Sequence, residues 1–451
     1  MKLPFIGNSP IRKNLIANGF GIGVQLLNQV VLVPFYILFW GNELYSDWIV
    51  ISALTLIFSM SDIGLNNVIQ NRFTIKLSEG NHKECNSLLT DNFLLVVVTL
   101  LVTLVGCIVF ISFWDITKVM NLHILSREHA NFVFLILIVK VFVSMLSGIE
   151  NAIYRATHNA SISIYMDQIG NLIVALFTLG CILLKIPITI MCVLICLPQT
   201  VLLIVKHFHS KKFYNYKFSL HSADWPIFKS VLLPSLSFMA FPLGNTVILQ
   251  GYTLVVNAFF GADAVVLYNT TRTLCNFIKT LLGTLQSSVW PEYSIAYGKG
   301  DFSLMRHIHR KILKITIATS FCAGVGLLVF GPLIFRLWTH NAIVFSYSLM
   351  SVYVVALFIE SLWTSSSVTL MATNNHTKLG IIYILAASFA IAIAYTLVYT
   401  IPSCSLALMT STLIIIHFVI ASFTIKEGFA LTKDNLFKCI KKKYQYQSQM
   451  Q

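Results

Sequence analysis

Charged residues are scarce in this 451-residue chain. They make up 11% of it, whereas hydrophobic residues make up 57% and the mean hydropathy is +0.79. Soluble chains carry about 25% charged residues, because their water-facing surface requires them. The shortage excludes a soluble enzyme, a disordered protein and a secreted disulfide scaffold. Twelve spans of about 20 residues would use roughly 240 residues, which is close to the apolar share of the chain. The composition therefore predicts an all-α polytopic membrane protein.

Sequence motifs for several chemistries are also absent. The nine cysteines include no CxxC pair, and the chain contains no GxxxxGK[ST] phosphate-binding loop. The loops predicted on the outer side carry no DxD or paired-carboxylate cluster. These absences argue against an ATPase, a metal or redox centre, and the loop-borne active site that a membrane glycosyltransferase or polymerase needs. We therefore predict a protein that is not an enzyme, with no catalytic residues, no metal and no cofactor.

Apolar runs between polar segments predict twelve transmembrane helices. The predicted spans are 14–40, 47–71, 88–113, 131–155, 161–184, 188–207, 231–257, 264–291, 312–337, 343–371, 379–400 and 404–425. The one long polar break lies near the middle of the chain. We therefore predict an N-terminal half at 1–215 and a C-terminal half at 216–425. The tail at 426–451 mixes lysines with apolar residues, which predicts a helix lying on the anionic inner membrane surface.

Positive charge is distributed very unevenly between the predicted loops. Of the 31 lysines and arginines, 24 fall on the side that also holds both termini, four fall on the other side, and three lie inside spans. Because cytoplasmic loops are enriched in lysine and arginine, this places both termini in the cytoplasm. The net charge of +14 thus reflects topology and lipid contact, and nucleic acid is not a predicted partner.

An internal repeat supports the division into halves. Gly41 and Gly261 stand in similar short motifs, and each is followed by another glycine, Gly80 and Gly300, at the same distance along the chain. A third match pairs Ala156-Thr157-His158-Asn159 with Ala372-Thr373-Asn374-Asn375 at nearly the same offset. Three matches at nearly one offset predict two homologous six-helix bundles. Such bundles insert in the same orientation, and substrate sites in such folds lie between the halves, so we expect a central cleft.

Ionisable groups inside a span are costly and normally face a cavity or a partner. Arg272, Asn276 and Lys279 share one face of the eighth predicted span, because their spacings of four and three residues match the helical period. Arginine offers a bidentate fork and lysine a compact charge, so this face is suited to an anionic group, most plausibly phosphate. The alternative is that the two cations neutralise Asp62 or Asp167 as structural pairs.

The repeat extends this polar face to the first half. At the offset that separates Gly41 from Gly261, the counterparts of Arg272, Lys279 and Gln286 are Ser52, Ser59 and Asn66. These three residues form a polar stripe on the second span. Lys140, in the fourth span, either extends the cationic cleft or pairs with a nearby acid.

Four acidic residues are candidates for ion coupling or gating: Asp62, Glu150, Asp167 and Glu360. Burial raises the pKa of a carboxyl group toward the range in which it can bind and release a proton. The alternative for each is a structural partner of an interior cation or a helix-end group.

Several short motifs resemble a known family. They are the Gly41-Asn42-Glu43 turn followed by Trp48, the segment Ser61-Asp62-Ile63-Gly64-Leu65, and Pro291-Glu292-Tyr293-Ser294 leading to Gly300-Asp301. With the twelve-helix plan, they resemble the Wzx-type polysaccharide (O-antigen) flippases of the multidrug/oligosaccharidyl-lipid/polysaccharide (MOP) exporter superfamily. At the turn after the first span, where members often show a second glycine, this chain has Ser46.

This resemblance implies a bacterial inner-membrane protein of surface-polysaccharide or lipopolysaccharide biosynthesis. It would move an undecaprenyl-pyrophosphate-linked oligosaccharide from the cytoplasmic to the periplasmic leaflet by alternating access. Arg272, Asn276 and Lys279, with Lys140, would receive the pyrophosphate, and Ser52, Ser59 and Asn66 would face the sugars. The implied partners are membrane lipids, a polysaccharide polymerase and a chain-length regulator. The resemblance also implies that transport is coupled to a proton or sodium gradient. The alternatives are a MATE-like drug or cation antiporter and, ranked below it, a membrane glycan-modifying enzyme.

Overall fold

The computed structural model describes residues 9–28, 32–120, 122, 124–216, 225–338 and 343–432. Contacts divide the chain into two compact units, Met1–Leu236 (unit 1) and Ser237–Gln451 (unit 2). The boundary between these units is defined by contacts between residues. The predicted division between residues 215 and 216 rests instead on the internal repeat, and it stays a prediction.

Unit 1 is built from helices. They are α1 (Pro10–Leu27), α2 (Val33–Ser78), α3 (His82–Phe113), α4 (Ile116–Val119), α5 (Arg127–Ile149), α6 (Asn151–Ala156), α7 (Ala160–Leu183), α8 (Ile188–Leu194), α9 (Cys196–Ser210) and α10 (Trp225–Phe238), the last of which ends in unit 2. The backbone of α2 breaks at Gly41, so its first residues complete the span begun by α1. The pairs α5 and α6, and α8 and α9, each form one span.

Unit 2 follows the same order. Its helices are α11 (Ala240–Gly298), α12 (Phe302–Trp338), α13 (Tyr347–Ala372), α14 (Thr377–Thr400), α15 (Leu406–Thr410) and α16 (Thr412–Leu431). The backbone of α11 breaks at Gly261, and the helix before this break continues the span that α10 begins. Helix α13 packs against α11, α12 and α16.

The predicted fold class is confirmed: each of the twelve predicted spans corresponds, in order, to a helix or a helix pair. Within the described residues, nine helices are long and apolar enough to cross a membrane. The spans outside that set are α1 and the parts of α2 and α11 that follow Gly41 and Gly261. The two latter segments carry most of the polar residues that the sequence singles out.

Some helices extend well past the predicted spans. Helix α2 continues to Ser78 and α11 to Gly298, whereas hydropathy placed their ends at 71 and 291. Hydropathy measures only the apolar length, and contacts with neighbouring helices hold these extensions. In unit 1, for example, the Arg72 guanidinium lies 2.7 Å from the Glu84 carboxylate. In unit 2 the Ser294 hydroxyl donates to the Ala372 carbonyl at 2.8 Å.

The internal repeat is visible in the backbone as residues with positive φ at matching positions. The pairs are Gly41 (φ 73°) and Gly261 (φ 79°), Gly80 (φ 81°) and Gly300 (φ 67°), and His158 (φ 60°) and Asn374 (φ 59°). At Gly41 and Gly261, ψ lies near 180°, a combination that is essentially restricted to glycine. The repeated glycines therefore mark repeated chain breaks between spans.

The C-terminal tail is described only in part. Helix α16 continues to Leu431, past the predicted end of the last span at 425. The rest of the predicted interfacial helix, from residue 433 onward, lies outside the described residues.

Candidate substrate site

One face of α11 lines a cavity in unit 2. Arg272, Asn276 and Lys279 contribute to its wall, so the structure brings these three predicted residues together. The opposite walls come from α13 and α16, which contribute Glu360 and His417. The cavity holds about 40 Å³, which is room for water but not for an oligosaccharide.

Lys279 has an acidic partner. Its Nζ lies 2.6 Å from Glu360 Oε1, and the other Glu360 oxygen lies 3.7 Å from His417 Nε2. The Trp363 indole N–H donates to His417 Nδ1 at 3.2 Å, which leaves the imidazole proton on Nε2, toward the carboxylate. The predicted alternatives for Lys279, Asp62 and Asp167, both belong to unit 1, and the observed partner is Glu360.

Arg272 is held differently. Its Nη1 donates to the Leu249 carbonyl at 2.9 Å and to Thr253 Oγ1 at 3.1 Å, and its guanidinium lies 5.7 Å from the centre of the Tyr268 ring. These partners are neutral, and within the described residues no carboxylate pairs with Arg272. The half-buried guanidinium therefore keeps further N–H donors for an anion.

Tyrosines form much of the remaining wall of the cavity. Tyr268, Tyr353 and Tyr383 are buried there, beside the cation of Arg272 and the Lys279–Glu360 pair. Aromatic faces attract cations, so the Tyr268 ring stabilises the guanidinium where it lies. The cavity as a whole combines one cation without a carboxylate partner, one ion pair and three phenol hydroxyls.

The predicted polar stripe of unit 1 lies on α2. Ser52 is half-buried there, and its hydroxyl has no hydrogen-bonding partner in the part of the chain that the structure describes. Ser59 and Asp62 lie on the same helix, but their side chains are outside the described part of the structure. Asn66 is buried: its amide donates to the Met145 carbonyl at 3.1 Å and accepts from Asn92 at 2.7 Å. Its side chain thus joins α2 to α3 and α5.

Lys140 is half-buried on α5, beside Cys192 and Cys196 of the span formed by α8 and α9. Cys196 contacts the Ile136 carbonyl of α5, which fixes this approach. No acidic residue among those described pairs with Lys140. Since Lys140 belongs to unit 1 and Arg272 to unit 2, a shared pyrophosphate site stays a prediction.

The other two candidate acids lie in unit 1 and have partners there. Asp167 Oδ1 lies 2.5 Å from Lys206 Nζ, which also donates to Asn151 at 2.9 Å. Glu150 Oε1 lies 3.5 Å from both the Tyr216 hydroxyl and His207 Nδ1. Among the candidate acids whose side chains the structure describes, the geometry therefore pairs Asp167 and Glu360 with lysines.

Sequence reasoning missed Lys206, which the charge count assigned to a cytoplasmic loop. The residue ends a predicted span and is fully buried within α9. The available signal was Asp167, which lies inside a predicted span without a cation in its own helix, since a charge inside the membrane needs a partner. His207 and Tyr216 were missed because neither lies in a recognisable motif. In the described residues, no group of three or more His, Cys, Asp or Glu side chains could hold a metal ion.

The fold is that of MATE and MOP-superfamily transporters. The chain is similar to an outward-facing multidrug resistance MATE family transporter of the MOP superfamily, with a TM-score of 0.75 and 14% identity over 94% of this chain and 96% of the other. It is also similar to a MATE protein in complex with MaL6, with a TM-score of 0.73, 13% identity and coverage of 94% and 97%.

A third similar structure is a MOP superfamily transporter from Pyrococcus furiosus, with a TM-score of 0.72, 13% identity and coverage of 94% and 95%. No protein-family profile and no curated protein sequence matches the chain. Together the likenesses show the fold of this class, and the nine apolar helices of the described residues agree with a multi-pass membrane protein.

Proposed function

We propose that the protein is a transporter that moves an anionic, lipid-linked glycan across the membrane. The substrate would be an undecaprenyl-pyrophosphate-linked oligosaccharide, carried from the cytoplasmic to the periplasmic leaflet of a bacterial inner membrane. The observation that carries the proposal is Arg272, a guanidinium in a buried cavity with neutral acceptors only. Such a group gains from a phosphate oxygen, which offers a charge-assisted and bidentate contact.

The cavity would receive only the anionic part of the substrate. At about 40 Å³ it is too small for the sugars, whereas the lipid chain can remain in the bilayer. Asn276 adds an amide donor, and Lys279 adds a second cation when the phosphate displaces Glu360 from it. An inside-negative potential favours outward movement of negative charge by about 2.3 kcal/mol per charge per 100 mV. We propose that the halves open alternately to the two sides.

A drug or cation antiporter is the second candidate, and the Lys279–Glu360 pair favours it. If Lys279 turns away, the same cavity presents a carboxylate among three tyrosines, which is suited to an organic cation. The fold is compatible with both functions. For the Pyrococcus furiosus transporter, reverse polarity of its binding pocket suggests a different function. We infer in the same way that the charge of Arg272 favours an anionic substrate here.

The test is glycan export in cells that lack their own exporter. We expect Arg272→Ala to reduce surface glycan at least tenfold and Arg272→Lys to retain part of it, because lysine keeps the charge and loses the fork. Lys378→Ala, which removes an exposed cation at the start of α14, is the matched control and should export normally. Membrane insertion of each variant is measured in parallel.

Full export by Arg272→Ala would contradict the anionic site. A drug-resistance assay on the same strains tests the antiporter. Resistance that depends on Glu360 but not on Arg272 would support that second candidate. Coupling through Glu360 or Asp167 and contacts with a polymerase or chain-length regulator are part of the proposal. Export measured at different pH and sodium concentrations tests the coupling.

A further inference from the structure

Unit 1 contains a pocket that the proposed transport does not use. It has a volume of about 290 Å³ and lies between α3, α5 and α9, where Phe93, Leu146 and Phe208 supply apolar walls. Phe208 exposes 66% of its surface, so the pocket opens at the surface of this unit. Two ionisable residues, Glu150 and His207, lie among these apolar side chains.

Glu150 is buried in this pocket with half of its carboxylate unsatisfied. Only 3% of the residue is exposed, and Oε2 has no hydrogen-bonding partner among the described residues. The contacts of Oε1 are long, at 3.5 Å from both the Tyr216 hydroxyl and His207 Nδ1. The hydrogen bonds of the nearby Lys206 ammonium go to Asp167 and Asn151, so they do not satisfy this oxygen. A buried acceptor of this kind is costly unless a donor fills it.

A cation lies near the same pocket. The Lys211 ammonium lies 5.7 Å from the centre of the Phe208 ring, and Phe208 is part of the pocket wall. It also lies 6.0 Å from the centre of the Tyr216 ring, and the Tyr216 hydroxyl contacts Glu150. A carboxylate and an ammonium thus lie around one tyrosine, beside an apolar pocket. Both belong to the end of the spans where the predicted cytoplasmic loops lie, which is the depth of lipid headgroups.

We propose that this pocket binds a phospholipid with a primary ammonium headgroup. The ammonium donates to Glu150 Oε2, Lys211 pairs with the phosphate, and an acyl chain fills the apolar part between Phe93 and Phe208. A primary ammonium has the N–H donors that Glu150 lacks, whereas a trimethylammonium headgroup has none. An anionic headgroup without an amine would leave the carboxylate unpaired. The charges and the apolar walls therefore complement an aminophospholipid such as phosphatidylethanolamine.

The test compares three lipids with identical acyl chains on the purified full-length protein in detergent. Phosphatidylethanolamine, phosphatidylcholine and phosphatidylglycerol are added at equal concentration, and bound lipid is measured by native mass spectrometry. We expect phosphatidylethanolamine to bind about tenfold more tightly than phosphatidylcholine. One or two hydrogen bonds to a charged acceptor account for a difference in affinity of this size. Equal binding of these two lipids would overturn the proposal without the use of any variant.

Matched variants then assign the contacts. Glu150→Gln keeps the shape of the side chain and removes its charge, so the preference for phosphatidylethanolamine should fall close to parity. Lys211→Ala should weaken phosphatidylethanolamine and phosphatidylcholine alike by several-fold, because both carry the phosphate. Lys212→Ala, the neighbouring exposed lysine, should change neither. An undiminished preference in Glu150→Gln, or the same weakening in Lys212→Ala as in Lys211→Ala, would overturn the assignment.

Discussion

The two units repeat the same backbone and carry different charges. Unit 1 holds the pair Lys206–Asp167, in which the lysine is fully buried. Unit 2 holds the pair Lys279–Glu360 in a cavity beside Arg272. The positions of unit 1 that correspond to Arg272 and Lys279 by the repeat are serines. The difference shows that helix breaks are set by positions common to both units, whereas the candidate chemistry depends on residues that only one unit has.

Some side chains do repeat, and they join helices. Asn66 of unit 1 bonds the Met145 carbonyl on α5, and Gln286 of unit 2 bonds Thr364 and Ser365 on α13. Asn66 and Gln286 are counterparts in the repeat and link equivalent pairs of helices. Repetition of an amide at this place therefore indicates packing, whereas the change from serine to arginine or lysine distinguishes the cavity of unit 2 that we propose as the substrate site.

The largest expected effect distinguishes the two ion pairs. Asp167→Asn leaves Lys206 buried without a counter-ion, which should lower the free energy of unfolding by about 3 kcal/mol, since Asp167 itself is partly exposed. Glu360→Gln should cost roughly half as much, because a third of the Lys279 side chain is exposed and can be hydrated. Unfolding of both variants in detergent checks the order.

The double variant Asp167→Asn with Lys206→Met is the control for this comparison. It removes both charges and should recover much of the loss, because the cost comes from the uncompensated lysine. If Asp167→Asn and Glu360→Gln are equally stable, the comparison fails. It holds that the ion pair in unit 1 is structural and that the ion pair in unit 2 is accessible to solvent.

Much of the fold could be predicted because hydropathy is a direct consequence of the membrane. Runs of about 20 apolar residues identify spans. The asymmetry of lysine and arginine predicts their orientation, which stays a prediction. Helix ends such as Ser78 and Gly298 could not be predicted in this way, because the residues before them are held by contacts with neighbouring helices, which hydropathy does not measure. Lys206 was misassigned for a related reason: charge counting treats every lysine near a span end as exposed to water.

The site could be predicted only within one helix. The spacing of Arg272, Asn276 and Lys279 places them on one face, and their side chains line one cavity of unit 2. Their partners Glu360 and His417 come from α13 and α16, and a single sequence has no periodicity that relates different helices. The same limitation hid the contact between Glu150 and Tyr216.

Alanine substitutions at the two repeated helix breaks should lower the free energy of unfolding by an intermediate amount. The loss should be the same in both units. Gly41→Ala and Gly261→Ala should each cost about 2 kcal/mol, because the backbone there is close to φ 75° and ψ 180°, where a Cβ is strained. Gly283→Ala is the control: Gly283 has no positive φ, and a Cβ there meets nothing within 4 Å. Thermal unfolding should show it unchanged or slightly stabilised. A large loss in only one unit would contradict equivalent breaks.

The smallest expected effect concerns the helix caps that follow Gly80 and Gly300. Asn81 Oδ1 accepts the Glu84 amide at 3.1 Å, and Asp301 Oδ1 accepts the Leu304 amide at 2.9 Å. The Leu304 amide, with the Ser303 hydroxyl, holds the pKa of Asp301 below its ordinary value of 3.8. The folded-state pKa is lowered, so the stabilisation is present above the unfolded pKa and is lost as the pH falls through the folded one.

Acid should therefore weaken the acceptor of the cap in unit 2 and not the acceptor of the cap in unit 1. Below about pH 4, hydrogen-exchange protection of the Leu304 amide should fall by less than about 1 kcal/mol in free energy, and it should fall more than protection of the Glu84 amide, because the Asn81 side chain that accepts the Glu84 amide does not titrate. Asp301→Asn should remove the pH dependence and keep the cap. An equal fall in protection at both amides would contradict this prediction. It would show that acid opens the structure generally and that the charge of Asp301 does not distinguish the two caps.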